Sequence, residues 1–228
     1  PLTEFSFQED HVFIESLIPG ILAWKANRRS LQGRIFEGSI QFILDLIIAT
    51  RQKVSSDQES LDEFFREDEN RINELGCCPE SFKKLFNQKL ALIKRMVGDH
   101  YLWLSASHGD FGYGNILVDS RSGRLLGVID WDTGRKQELA GVDIMNLMIQ
   151  KTRTERNAGF FQTVEHLYRR TCFGLPLYLI DCMKMHLNTD NAKAGLLFSI
   201  AIIRYISRSA QYPAIFSQSR MNTLRHWI

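Results

Sequence analysis

The chain has 228 residues, of which 44% are hydrophobic and 24% are charged, so it is long enough to bury one large core, with or without a small appended subdomain. This composition argues against general disorder. Twenty-eight basic and twenty-six acidic side chains give a net charge of +2, which creates no field that favours binding to nucleic acid or to an anionic membrane.

No segment of the sequence has the character of a membrane span or a secretory signal. The apolar runs at residues 40–49 and 196–206 are interrupted by Asp45 and Arg204, and both are shorter than the roughly 20 residues that a span needs. The start at Pro1 lacks a basic stretch followed by an apolar one. We therefore predict two buried helices and a cytoplasmic location. The four cysteines form no Cys-x-x-Cys pair, so we expect free thiols in the reducing cytosol.

Two short apolar runs open the chain. Residues 5–7 and 12–17 are separated by the polar residues 8–11, which predicts two antiparallel strands joined by a turn. Pro19 and Gly20 predict the end of the second strand.

Helical periodicity follows these strands. Apolar residues recur with spacings of three and one from Gly38 to about Lys53, which predicts a helix buried on one face. A weaker pattern at residues 61–75 and a steady one from Pro79 to Val97 predict two more helices. The acidic run at residues 57–69 is either a solvated helix face or an attractor for a cationic substrate.

The pattern changes to short strands at Tyr101. Residues 102–104, 116–118 and 125–129 are β-leaning runs separated by Gly, Ser and Asp. After Gly141 the helical pattern resumes, with breaks that include residues 152–154. The basic residues of these last helices are expected mainly on the surface, with contact to an anionic substrate as the alternative; they are Arg204, Arg208, Arg220 and Arg225.

Three polar residues next to the short strands carry the chemistry. Asp110, Asn115 and Asp130 offer carboxylate and amide oxygens on loops, and Mg²⁺ prefers such ligands together with substrate phosphates. Phosphoryl transfer needs a group that orients the acceptor hydroxyl and metal ligands that neutralise phosphate charge. Asp110 suits the first need, and Asn115 and Asp130 suit the second.

The residues around these positions resemble a known family, the aminoglycoside phosphotransferase and choline kinase group. The family's catalytic loop reads His-x-Asp, four residues and Asn, and the chain has His108-Gly109-Asp110-Phe111-Gly112-Tyr113-Gly114-Asn115. Its next motif, an apolar strand ending in Ile-Asp, is similar to residues 128–132, Val-Ile-Asp-Trp-Asp. A weaker match follows at residues 141–144.

The resemblance implies a role for each of these residues. Asp110 is then the catalytic base, Asn115 and Asp130 hold Mg²⁺, and Asp143 braces the catalytic loop. His108 supports the loop backbone instead of transferring protons. The role of Asp132 stays open between an additional group near the metal and the solvated cap of a turn.

The resemblance also implies an α+β, protein-kinase-like fold in two parts. Residues 1–20 would be the remaining strands and hinge of an N-lobe, in which the backbone of Glu15, Ser16 and Leu17 faces adenine. Residues 21–228 would form a helical C-lobe with the catalytic loop at 107–115 and the metal loop at 128–134. A glycine-rich phosphate loop and a lysine-bearing strand are not found before Val12, so we expect a chain that begins partway through the N-lobe.

The sequence thus predicts a kinase that uses ATP and Mg²⁺ to phosphorylate a hydroxyl group of a small molecule, such as an aminoglycoside, choline or a related metabolite. Neither nucleic acid nor a membrane is an expected partner, and the oligomeric state stays open. The alternative is a catalytically idle kinase-like domain that binds or regulates, because the same fold can host both functions.

Overall fold

A computed structural model of the chain describes residues 3–7, 10–14, 19–26, 29–76, 78–97, 102–171 and 191–209. The described helices are α1 (Arg29–Thr50), α2 (Gln58–Glu74), α3 (Glu80–Val97), α4 (Val142–Arg156), α5 (Phe160–Thr171) and α6 (Asn191–Ser209). The described strands are β1 (Thr3–Phe7), β2 (Asp10–Ile14), β3 (Ile21–Leu22), β4 (Gln52–Val54), β5 (Leu102–Ser107), β6 (Ile116–Val118), β7 (Leu125–Val128) and β8 (Arg135–Leu139). Helices combined with small sheets confirm the predicted α+β class.

The chain divides into two compact units. Unit 1 contains Pro1–Gln41 and Tyr113–Asp130, and unit 2 contains Phe42–Gly112 and Trp131–Ile228. The divisions fall within α1, within the catalytic loop and within the metal loop.

Unit 1 contains two small antiparallel sheets. β1 pairs with β2 as predicted, and β3, β6 and β7 form a second sheet in that order. The turn between β6 and β7 is held by Asp119, whose carboxylate accepts hydrogen bonds from the backbone N–H groups of Arg121 and Ser122. Gly123 ends this turn with a φ of 73°, a left-handed conformation that glycine adopts without strain. The hairpin thereby fixes which residues lie at its open end.

Unit 2 has a three-stranded antiparallel sheet in the order β4, β5, β8. β5 is the central strand and leads directly into His108. The pairing of β5 with β8 shifts its register between Ser105 and Ser107. Such an irregularity re-aims the backbone at a strand end. The catalytic loop therefore begins from a strand that is hydrogen-bonded on both sides.

The core of unit 2 is helical. α6 packs against α2, α3, α4 and α5, so it is the central helix of this unit. Large apolar side chains from α2 and α3 are completely buried; they include Phe65, Ile72, Phe82, Phe86 and Leu90. Burying each such side chain contributes roughly 1.5–3 kcal/mol, which makes this helical core the main source of stability in unit 2.

Several predicted boundaries differ from the observed ones. The first predicted helix begins earlier, at Arg29, and ends at Thr50, because residues 52–54 form β4 against β5. The break expected near residues 152–154 lies a few residues later, since α4 continues to Arg156 and ends where Asn157 adopts a φ of 49°. Thr154 is accommodated inside this helix by a hydrogen bond from its hydroxyl to the Gln150 carbonyl, 3.0 Å long. Among the described helices, none has both the length and the hydropathy that a membrane crossing requires.

Candidate active site

The backbone after β5 is held by a buried carboxylate. Asp143 Oδ2 accepts a hydrogen bond from the His108 N–H at 2.7 Å, and Oδ1 accepts one from the Gly109 N–H at 3.0 Å. Asp143 lies in the first turn of α4, where the helix dipole favours a negative charge. Burial raises the pKa of Asp143, and the two N–H donors oppose this shift.

The carbonyl groups of the same two residues are also bonded. The His108 carbonyl accepts a hydrogen bond from Thr133 Oγ1 at 3.1 Å, and the Gly109 carbonyl accepts one from Asn146 Nδ2 at 3.1 Å. Arg208 Nη1 donates a further hydrogen bond to the Gly109 carbonyl. Because both N–H groups and both carbonyls have partners, the backbone immediately before Asp110 is fixed from both sides.

Gly109 meets a conformational demand of this loop. Its φ is 82°, and a Cβ atom added to it would lie 2.4 Å from the Thr133 carbonyl oxygen. Only glycine combines this left-handed backbone with such a close approach. The next residue, Asp110, has an exposed side chain, so its carboxylate is accessible to solutes.

His108 is completely buried among aromatic rings. Its ring centroid lies 5.8 Å from that of Phe111 and 4.7 Å from that of Trp131. Phe111 in turn stacks on Phe42 of α1 at 5.8 Å. This packing anchors the loop to the core of unit 2. Trp131 remains 43% exposed although its ring contacts His108.

In unit 1, the two predicted magnesium ligands lie at the same end of one hairpin. Asn115 immediately precedes β6, and the Ile129 N–H donates to the Asn115 carbonyl at 3.0 Å just after β7 ends. Asp130 therefore follows the residue that is bonded to Asn115. The Asp130 backbone has a φ of 67°, an unusual conformation for a residue other than glycine.

The donor set at this hairpin end fits Mg²⁺. Asn115 offers an amide oxygen from a half-buried position, and Asp130 offers a carboxylate from an exposed one. Two protein oxygen ligands leave the remaining coordination positions of Mg²⁺ for water and substrate phosphates, which this ion usually keeps. Among the described residues there is no cluster of three or more His, Cys, Asp and Glu side chains arranged to hold a metal ion.

The other predicted site residues are distributed as follows. Asp132 has an exposed side chain in the turn that the Gly134 N–H closes on the Trp131 carbonyl at 2.9 Å. The three residues expected to face adenine lie outside the described residues; they are Glu15, Ser16 and Leu17.

The sequence did not predict that Thr133, Asn146 and Arg208 hold the loop, and Arg208, which was expected mainly on the surface, is half-buried. Only Asn146 had a usable signal, because it lies three residues after Asp143 and therefore on the same face of a helix. Thr133 lies within the predicted metal loop and Arg208 on a late helix, and both are distant in sequence from the catalytic loop.

A buried group of charges lies behind the loop, on α2, β8 and α6. Arg204 Nε lies 2.8 Å from Glu138 Oε2, Arg204 Nη1 is paired with Asp68, and all three side chains are at most 2% exposed. We call these three residues the buried ion cluster. Its presence corrects the expectation that Arg204 lies on the surface. Burial raises the pKa of Glu138 to about 7 and lowers the pKa of Arg204 to about 9.

The chain matches the phosphotransferase enzyme family over residues 11–174, a segment that contains every described residue predicted for the site. Two solved structures of glucosamine kinase, one in crystal form B and one in complex with glucosamine, ADP and inorganic phosphate, are each 15% identical to the chain. Their TM-scores are 0.45 and 0.40, and each similarity covers 95% of this chain.

The chain spans 57% and 56% of the lengths of these two structures, little more than half of each. Among curated protein sequences none matches it. The family match covers well over half of the chain and confirms both the resemblance seen in its motifs and the kinase-like fold class. The chain therefore belongs to the phosphotransferase enzyme family.

Proposed function

We propose that this chain carries the catalytic residues of a kinase that transfers the γ-phosphoryl group of ATP to a hydroxyl group of a small molecule. The observation that carries the proposal is the family match over residues 11–174, because this segment contains the catalytic loop and the metal loop. The acceptor class proposed from the sequence is an aminoglycoside, choline or a related metabolite. ATP as the donor is consistent with a cytoplasmic location.

Asp110 is proposed to orient the acceptor hydroxyl and to take its proton. Its side chain is exposed, while the preceding residues, His108 and Gly109, are fixed by hydrogen bonds on both sides. A rigid backbone beside an accessible carboxylate suits a group that must hold a substrate atom in line for reaction. The acceptor oxygen forms a bond to the γ-phosphorus, the bond from that phosphorus to the β,γ-bridging oxygen breaks, and ADP leaves.

Asn115 and Asp130 are proposed to hold Mg²⁺. The ion, when bound, neutralises charge on the phosphate oxygens of the nucleotide. The hydrogen bond between Ile129 and Asn115 keeps the two ligand-bearing residues at one end of the β6–β7 hairpin. Asp130 reaches this position through a left-handed backbone, a strain that is typical of residues in functional sites.

The test is phosphoryl transfer by the complete gene product, measured with labelled ATP against a panel of hydroxyl acceptors. We expect turnover that falls by at least about 10³-fold in Asp110→Ala, because transition-state positioning is lost. The control is Glu74→Ala, which removes an exposed carboxylate at the C-terminal end of α2, outside the proposed machinery. Turnover that is absent in the wild type, or equal in Asp110→Ala, would instead support the idle domain.

The metal assignment has a separate test. Asp130→Ala should weaken Mg²⁺-dependent binding of an unreactive ATP analogue, because a carboxylate ligand of the ion is removed. Binding is measured by calorimetry across a magnesium titration, with Glu74→Ala again as the control. Equal magnesium dependence in Asp130→Ala and in the wild type would remove Asp130 from the metal site.

A further inference from the structure

Arg208 connects the central helix of unit 2 to the catalytic loop. It lies in the last turn of α6, and its Nη1 donates to the carbonyl of Gly109, the residue before Asp110. The same carbonyl accepts from Asn146 Nδ2 at 3.1 Å, so it has two side-chain donors. A carbonyl that receives two donors is fixed in direction, and the peptide bond that begins Asp110 is fixed with it.

The guanidinium of Arg208 occupies the space beside Gly109 that a side chain at this position would need. A Cβ atom placed on Gly109 would lie 2.9 Å from Arg208 Nη1 and 3.0 Å from Nη2. The approach is therefore possible because glycine stands at this position. A side chain at residue 109 would therefore exclude the guanidinium from the position in which Nη1 reaches the Gly109 carbonyl.

The position of Arg208 is set one helical turn earlier. Arg204 on the same helix bonds to Glu138 on β8, and its Nη2 donates to the Phe64 carbonyl on α2 at 3.2 Å. These contacts fix the rotation and the axial position of α6. The helix therefore presents Arg208 to the loop from a rigid base, instead of leaving a long side chain to find its partner.

The charges around Arg208 suit a structural cation. Glu138 and Asp143 attract it, while Arg135 and Arg71 repel it. Burial is the main cause that lowers the pKa of Arg208, with the repulsion from Arg135 next. Arg208 also opposes the rise in the pKa of Asp143, so it favours the ionised carboxylate that accepts the two loop N–H groups.

We propose that Arg208 is a positioning residue, whose hydrogen bond to the Gly109 carbonyl keeps the Asp110 carboxylate directed for phosphoryl transfer. The inference rests on the proposed function and extends it by one residue. Arg208 acts through the loop and does not itself contact the phosphates or the acceptor.

The experiment compares Arg208→Met, Arg208→Lys and the control Arg153→Met in the complete gene product. Met keeps most of the aliphatic length without a donor, and Lys restores one donor. Arg153 has an exposed side chain on α4. We expect kcat to fall about 10- to 100-fold in Arg208→Met with little change in either KM, to recover partly in Arg208→Lys, and to stay unchanged in Arg153→Met.

A second measurement does not depend on turnover. Hydrogen–deuterium exchange of residues 107–112 should become faster in Arg208→Met and remain at the wild-type rate in Arg153→Met, because the loop loses one of its anchors. If Arg208→Met kept the wild-type kcat, with or without a raised KM for ATP, the inference would be overturned. Unchanged exchange of residues 107–112 in this variant would also overturn it. Failure of the proposed function appears differently, as the lack of any turnover that depends on Asp110.

Discussion

Replacement of Arg204 by methionine tests how much the buried ion cluster contributes to folding. Arg204 is 1% exposed, and Glu138 and Asp68 are 0% exposed. Its guanidinium also lies over the ring of Phe64, with 4.6 Å between Cζ and the ring centroid. Methionine has a similar length and an apolar character, so Arg204→Met removes the charge and the donors while keeping most of the volume.

The expected loss in the free energy of unfolding is about 3–5 kcal/mol, the usual effect of removing one partner from a buried ion pair. The loss arises mainly because the buried carboxylates of Glu138 and Asp68 lose the cation closest to them. A typical domain is stable by only about 5–15 kcal/mol, so the change should be large enough to measure with confidence. The double variant Arg204→Met with Glu138→Gln should lose less than the sum of the two single losses, since it removes one of the uncompensated charges.

The pH dependence follows from Glu138. Burial raises its pKa from 4.5 to about 7, so between these values the folded protein holds a proton that the unfolded chain has released. The contribution of Glu138 to stability therefore decreases as the pH rises through this window. Without Arg204 the charged form is less favourable still. The stability deficit of Arg204→Met should be largest at pH 8 and smaller at pH 5, where Glu138 is protonated.

The assay is urea unfolding followed by circular dichroism at pH 5 and pH 8. Arg153→Met is the matched control, because its side chain is exposed and its replacement should change stability by no more than about 0.5 kcal/mol. A deficit below about 1 kcal/mol, or an equal deficit at both pH values, would refute the argument that Arg204 compensates buried negative charge.

Three further predictions concern the loop. Gly109→Ala should cost roughly 2–5 kcal/mol of unfolding free energy, because alanine is strained at a φ of 82° and its Cβ meets a backbone oxygen. Gly112→Ala should cost about 1 kcal/mol, and adding Gln150→Ala should restore this loss, because the three atoms nearest to the added Cβ all belong to the end of the Gln150 side chain. Asp143→Asn should speed amide exchange at His108 and Gly109, because the two N–H groups bond to different carboxylate oxygens and one of these becomes an NH2 group that cannot accept.

Urea unfolding measures the two glycine variants, and exchange detected by mass spectrometry measures the third. Equal stability of Gly109→Ala and the wild type would contradict the observed loop conformation. If the changes in unfolding free energy caused by Gly112→Ala and Gln150→Ala simply added in the double variant, the strain would not arise from contact between these two side chains. Wild-type exchange rates in Asp143→Asn would show that the loop does not depend on this carboxylate.

The sequence by itself determined the elements whose signals are local. β6 was predicted with its observed limits, and α3 to within one residue, because an apolar β-leaning run and a proline-initiated periodic pattern need no distant partner. The catalytic and metal loops were predicted from residue types at fixed spacings. Their family was predicted from the same motifs and is confirmed by the match over residues 11–174.

Only the tertiary structure decided the elements that depend on distant partners. β4 and β8 are short and polar, with sequences Gln-Lys-Val and Arg-Lys-Gln-Glu-Leu, and they become strands by pairing with β5. The sequence predicted Arg204 on the surface because its partner Glu138 lies 66 residues away and no local pattern connects the two residues.

The same reason explains why the full support of the catalytic loop was not visible in the sequence. Local pattern predicted the loop and assigned Asp143 to brace it, while the hydrogen bond from Arg208 to the Gly109 carbonyl joins residues 99 positions apart. A buried carbonyl accepts a hydrogen bond from whichever donor the fold places near it, and the spacing of residues along the chain does not predict that donor. The sequence therefore predicted which residues are candidates for the chemistry, and the packing of α6 decided which further side chains hold the loop in place.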